Sequence, residues 1–201
     1  STLFPYTTLF RSSYYYVPRI TIDELINTSE NVIVSTACLA SILHNGSDSI
    51  KEKFIMFLAN NKDRCFLEIQ HHNVDEQIEY NRYLLGLHNA IGVRLITGTD
   101  THALNDMHME GRAILQKSKN VHFDNEDKWD LTAKSIDELI DAYKIQNSLP
   151  IDVVYEAINN TNIVADMVED FDVDRVYKYP HLWENSNDEN VEAEKINLTA
   201  E

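Results

Sequence analysis

Glycine is scarce, with five residues in a chain of 201. A glycine-rich loop whose backbone N–H groups cradle a phosphate would stand out against that background, and none is present. Cysteine is scarcer still: Cys38 and Cys65 are the two in the chain, too few for the disulfide framework of a small secreted domain. Basic residues are in deficit, since 17 Lys and Arg stand against 33 Asp and Glu, for a formal net charge of −16. A surface that acidic repels nucleic acid, because duplex affinity depends on cations that neutralise phosphates. No apolar run approaches the roughly 20 residues of a membrane span. A basic start followed by an apolar centre, the mark of a secretory signal, is also missing. These deficits argue against membrane insertion, secretion and direct nucleic-acid binding, and make a cytoplasmic globular domain the simplest expectation.

Hydrophobic residues make up 43% of the chain and charged residues 25%, which is ordinary for one domain with its own core. Three short apolar runs read as buried strands: "NVIVSTACL" (31–39), "RCFLEIQ" (64–70) and "VRLITGTD" (93–100). Helical patterns lie between them. "SDSIKEKFIMFLANN" places Ile50, Phe54, Phe57 and Leu58 on one face, with Ser47 as its cap. "VDEQIEYNRYLLGLHNAIG" places Ile78, Leu85 and Ile91 near one stripe and stops at Gly92. The alternation predicts an α/β fold with parallel strands and crossover helices. A helical segment follows: "MHMEGRAILQKSK", "SIDELIDAYKIQ" with a Ser135/Glu138 capping box, and "PIDVVYEAINNTNIVADMVEDF" with Pro150 in its first turn.

Parallel α/β folds carry their sites at the C-terminal ends of strands, and here those ends bear chemistry. The first presents Cys38, the second Glu68, His71 and His72, the third Asp100 and His102. Thiolate, carboxylate and imidazole are the ligand types of zinc, and the last two also suit manganese or iron. Side chains at i and i+2 of an extended strand share a face, so Asp100 and His102 could grip one ion. Blander readings stay open on the residues alone. An Asp-x-His can be a turn and helix cap, a lone buried cysteine can be a small hydrophobe, and paired loop histidines can be surface residues.

"STACLAS", "CFLEIQHHNVDEQIEYNRYLLGL" and "LITGTDTHAL" together resemble the PHP (polymerase and histidinol phosphatase) domain of the bacterial or phage DNA polymerase III alpha subunit. "YYYVPRITIDEL", "EGRAILQKSKNVHF", "EAINNTNIVADMV" and "YPHL" resemble its flanks. The resemblance implies the C-terminal part of a distorted (β/α)7 barrel, residues 13–182 with the helices that follow, and then an acidic linker, residues 183–201, towards a polymerase core. Residues 2–12, "TLFPYTTLFRS", resemble a translated sequencing adapter and are expected to lie outside the fold. Matched residue by residue, Cys38, Asp100 and His102 are the implied metal ligands, Glu68 and His72 line the site, and His71 sits at a variable position facing solvent. The family's upstream His-x-His ligands have no counterpart in residues 1–31.

The implied cofactors are divalent ions, zinc or manganese here and magnesium for the polymerase core. The implied parent is a DNA-directed DNA polymerase of replication with metal-dependent 3′-5′ exonuclease chemistry, and the fragment alone is expected to be inactive. Its DNA contact would run through the polymerase core rather than this acidic segment, with other replisome subunits as partners and no membrane. Two alternatives stand beside it: a non-catalytic PHP module that braces the polymerase and binds a proofreading subunit, and a stand-alone PHP phosphoesterase.

Overall fold

The computed structural model describes residues 14–15, 17–18, 20–121 and 129–169. The adapter-like stretch, the acidic segment 183–201 and "YPHL" lie outside them. The chain divides into two units, of which the larger, Thr21–Glu169, carries every candidate residue. In the other, β1 (Tyr14–Tyr15) and β2 (Val17–Pro18) pair antiparallel.

Within Thr21–Glu169 the fold is α/β. Strands β3 (Val34–Ser35), β4 (Cys65–Gln70) and β5 (Arg94–Gly98) form a parallel sheet in the order β3-β4-β5. Seven helices surround them among the described residues: α1 (Ile22–Ile26), α2 (Ile42–Asn45), α3 (Asp48–Asn60), α4 (Asp75–Ile91), α5 (Asp106–Ser118), α6 (Ile136–Gln146) and α7 (Ile151–Asp166). The strand–helix–strand order is the one the hydrophobic pattern predicts, because parallel neighbours need a crossover between them. None of the described helices is long and apolar enough to cross a membrane.

The core follows from strand alternation. Cys65, Leu67 and Ile69 point to one face of β4 and are fully buried with Val93, Leu95, Phe54, Leu58 and Leu84. Each such side chain contributes roughly 1.5–3 kcal/mol by leaving water. Cys65 is therefore a core residue, and burial raises its thiol pKa. The opposite face of β4 carries Phe66, Glu68 and Gln70, the last two polar.

Several predicted details are corrected. Only Val34–Ser35 of "NVIVSTACL" is strand, because Ala37 turns into the left-handed region at φ 54°. Ile50 is 38% exposed, so the buried face of α3 is Phe54, Phe57 and Leu58. Ser47 stands at the N-cap of α3 without a capping side-chain bond. The fully buried stripe of α4 is Gln77, Tyr80, Asn81 and Leu84, since the helix packs on a polar strand end that needs amide partners; Leu85 and Ile91 are partly buried against the core beside it. Gly92 ends α4 at φ 70° as expected, and the Ser135–Glu138 capping box opens α6. Helix α7 stops at Asp166, short of the predicted run.

Candidate functional site

The C-terminal ends of β4 and β5 lie side by side, with Gln70 opposite Gly98. Glu68 leans across this face. Its carboxylate accepts from Ser35 Oγ at 2.9 Å and from Gln70 Nε2 at 3.2 Å. Glycine at 98 makes room for it, because a Cβ there would collide with the Glu68 carboxylate. Glu68 thus sits at the strand ends tied to Ser35 and Gln70.

Asp100 and His102 do meet: His102 Nε2 lies 3.2 Å from Asp100 Oδ1. The predicted reason fails, however. Strand β5 ends at Gly98 and Asp100 takes a left-handed conformation, φ 47°, which aspartate tolerates better than most residues. The pair is set by this turn and by a segment the sequence reading passed over. The N–H groups of His102 and Ala103 donate to Leu131 O at 2.8 and 3.1 Å, and Ala133 N–H donates to Ala103 O at 2.9 Å. Residues Leu131–Ala133 thereby extend the backbone pairing past β5, with Ala103 bridged parallel to Thr132. The sequence signal was available: Asp130 with Thr132 makes a side-chain turn, Thr132 Oγ1 donating to Asp130 Oδ1 at 2.7 Å.

The histidine pair follows β4. His71 is 2% exposed, so its predicted solvent position is overturned: the strand end dives under the segment at Trp129–Lys134 instead of looping outwards. His72 is fully buried, stacks on Trp129 with ring centroids 5.3 Å apart, and brings Nε2 to 3.9 Å from Asp100 Oδ2. Among the described residues no partner lies within ordinary hydrogen-bond geometry of either ring's nitrogens, though the Asp130 backbone is close enough to favour protonation of both. Burial, then the neighbouring His72 and Lys134, lowers the His71 pKa to about 4. Burial also lowers that of His72, against the pull of Asp100 and Asp130. Asp130 is held at about 2; burial opposes its ionisation, but bonds from Lys134 and Thr132 overcome that.

An amide network fixes this strand end. Asn81 Oδ1 accepts from Gln70 N–H at 3.2 Å and Gln77 Nε2 at 2.9 Å, while Asn81 Nδ2 donates to Gln70 O at 2.8 Å and Gln146 Oε1 at 2.9 Å. Gln146 Nε2 donates to His72 O at 2.7 Å. All of these side chains are buried.

Arg112, from α5, is a second residue the sequence reading missed. Its guanidinium lies 2.8 Å from His102 Nδ1. Cys38 is half-buried in the turn before α2 and lies near the Tyr80 hydroxyl on α4.

Does this arrangement suit a divalent ion? Two ligand atoms of a tetrahedral zinc, each about 2 Å from it, lie about 3.3 Å apart, and the Asp100 Oδ1–His102 Nε2 separation of 3.2 Å matches. His72 Nε2, 3.9 Å from Asp100 Oδ2, is a ligand-type nitrogen beside them. Among the described residues, though, no three His, Cys, Asp or Glu side chains converge to hold a metal. Asp100 and His102 form a close pair, with His72 beside the Asp100 carboxylate.

No family model matches the chain. It is 27% identical over 176 residues, 82% of its length, to the DNA polymerase III subunit alpha of Borreliella burgdorferi. It is 26% identical over 220 aligned positions, 90% of its length, to a probable DNA polymerase of Bacillus subtilis. It is 30% identical over 124 residues, 58% of its length, to the DNA polymerase III subunit alpha of Aquifex aeolicus. The chain spans 15%, 16% and 11% of the lengths of these three relatives. Similarity over most of the chain to several polymerases makes it a polymerase-related segment.

Proposed function

We propose that the chain is the C-terminal part of the PHP domain of a replicative polymerase of the DNA polymerase III alpha type, a partial (β/α)7 barrel whose Asp100 and His102 take part in divalent-ion binding. The observation that carries the reading is the 3.2 Å Asp100–His102 pair beyond the end of β5, where parallel α/β folds place their ligands. In the intact protein the corresponding chemistry is metal-dependent 3′-5′ phosphodiester hydrolysis during DNA replication. A divalent ion held there supplies positive charge that polarises a phosphodiester. The residues of this chain do the rest: Asp100 supplies the negative charge, His102 a directed imidazole, and His72 under Trp129 a dry wall beside the carboxylate. DNA is reached through the polymerase core, since this segment carries a net charge of −16. Cys38 is the third member of the proposed ligand set.

The bracing module is the second reading. It is favoured by a specific observation: His102 is already engaged by Arg112, and no three ligands converge among the described residues.

Calorimetric titration with Zn²⁺ and Mn²⁺, beside digestion of a labelled single strand, separates the two. Weak binding that disappears in Asp100→Ala and in His102→Ala, with no digestion by this chain, is the expected outcome. Binding indifferent to both substitutions would favour the brace.

A further inference from the structure

Three aromatic rings run in series where α2 meets α4. His44 meets Tyr80 edge to face with centroids 5.5 Å apart, and Tyr80 stacks with Tyr83 at 6.2 Å. The sequence arranges this, because Glu76, Tyr80 and Tyr83 recur at helical spacing on α4 and so share a stripe, which Glu79 joins. Across from them, Leu43 of α2 and Lys51 of α3 complete the walls of a cavity of about 310 Å³, at the small end of the range for ligand pockets.

The walls carry unequal charge, two carboxylates against the one ammonium of Lys51. Glu76 reaches His44 Nε2 at 3.5 Å, whereas Glu79 and Lys51 enter no ion pair among the described residues. Burial raises the pKa of Tyr80 and of Tyr83, so at neutral pH both act through their ring faces and not as phenolates. This combination selects among ligands. An anion would meet two carboxylates for one ammonium. An uncharged apolar group would strip water from those carboxylates and return nothing. A divalent metal ion needs several converging ligand atoms, and no three His, Cys, Asp or Glu side chains converge among the described residues. A guanidinium suits the cavity: it is flat, weakly hydrated, stacks on aromatic rings and donates paired hydrogen bonds to a carboxylate. The net charge of −16 draws cations towards the surface as a whole.

We propose that the cavity between α2, α3 and α4 binds an organic cation, foremost a guanidinium, which stacks on Tyr83 and pairs with Glu79. The proposal stands whether or not Asp100 and His102 hold an ion. Lys51 opposes the ligand and limits its affinity. The cation comes either from a free small molecule or from an arginine side chain, and the chemistry of recognition is the same for both.

The test is NMR titration of the whole chain at low salt, with methylguanidinium and with a capped Ala-Arg-Ala peptide. Saturable shifts of the Tyr80 and Tyr83 ring resonances are expected with methylguanidinium. Tighter binding of the peptide assigns the natural source to an arginine side chain, and equal or weaker binding assigns it to a free small molecule. Glu79→Gln and Tyr83→Leu are each expected to weaken methylguanidinium binding about threefold, the size of an exposed ion pair or cation–π contact. Lys51→Gln is expected to tighten it by a similar factor. Glu156→Gln, which removes an exposed carboxylate on α7, leaves it unchanged. Glu79 and Tyr83 are themselves exposed, so the fold survives both substitutions. Absence of saturable shifts, or shifts produced by inorganic phosphate instead, would overturn the proposal. So would binding that falls equally with Glu79→Gln and Glu156→Gln and ignores Tyr83→Leu, the behaviour of a diffuse acidic surface.

Discussion

Asn81→Leu is expected to lower the stability of the folded chain by about 3 kcal/mol, the cost of two buried donors left without partners at roughly 1–3 kcal/mol each. Those donors are Gln70 N–H and Gln77 Nε2, both bonded to Asn81 Oδ1. The carbonyl of Gln70 and the side-chain oxygen of Gln146 retain other bonds, from Gln146 Nε2 and Ser148 Oγ, so they add little. Leucine is larger than asparagine, so no cavity forms, and overpacking at this fully buried position adds to the loss. Urea unfolding of the two proteins should show a lower midpoint with an unchanged slope. The same substitution should speed amide exchange in residues 70–72, because Asn81 and Gln146 together clamp that strand end. A change under about 0.5 kcal/mol, the size of an ordinary surface substitution, would mean that the network is not the clamp it is described as.

Acid should destabilise the chain through His71. Its pKa falls from 6.5 to about 4 on folding, so between those values the unfolded chain binds the extra proton and the folded chain does not. Stability is then full above about pH 6.5 and declines as the pH falls towards 4, by on the order of 3 kcal/mol for one such group. His72, also lowered, adds loss in the same direction. In His71→Phe the ring remains apolar and buried next to Tyr143 and His72, and the decline between pH 6.5 and 4 should flatten. Denaturant midpoints at several pH values give both curves. An identical acid slope in His71→Phe would place the proton uptake elsewhere.

The elements easiest to read in the sequence were those whose signal is local. Helix α6 announces itself through Ser135 and Glu138, and α4 ends where Gly92 permits φ 70°. Strand β4 is a mostly apolar run interrupted by Glu68 and ending in Gln70, and the α/β class follows from its alternation with helices. The site was legible in part. Asp100 and His102 were found by residue type and position, yet the strand geometry invoked for them was wrong, because the αL turn at Asp100 leaves little mark in sequence. The burial of His71 depends on a segment more than fifty positions later, and hydrophobic periodicity carries no information about so distant a neighbour. Arg112 escaped for the same reason. On an isolated helix it is one more charged residue, and its meaning appears only when α5 brings it to His102. The buried amides of α4 were hidden differently: an apolar template looks for Ile78 and Leu85, while the helix buries Gln77 and Asn81 to satisfy the end of β4.

Anomalous diffraction at the zinc edge, from crystals of the whole chain grown with excess zinc, tests the central claim most directly. The expected result is a zinc peak about 2 Å from both an Asp100 carboxylate oxygen and a His102 ring nitrogen. A map at the same zinc excess with no peak at that pair would contradict it.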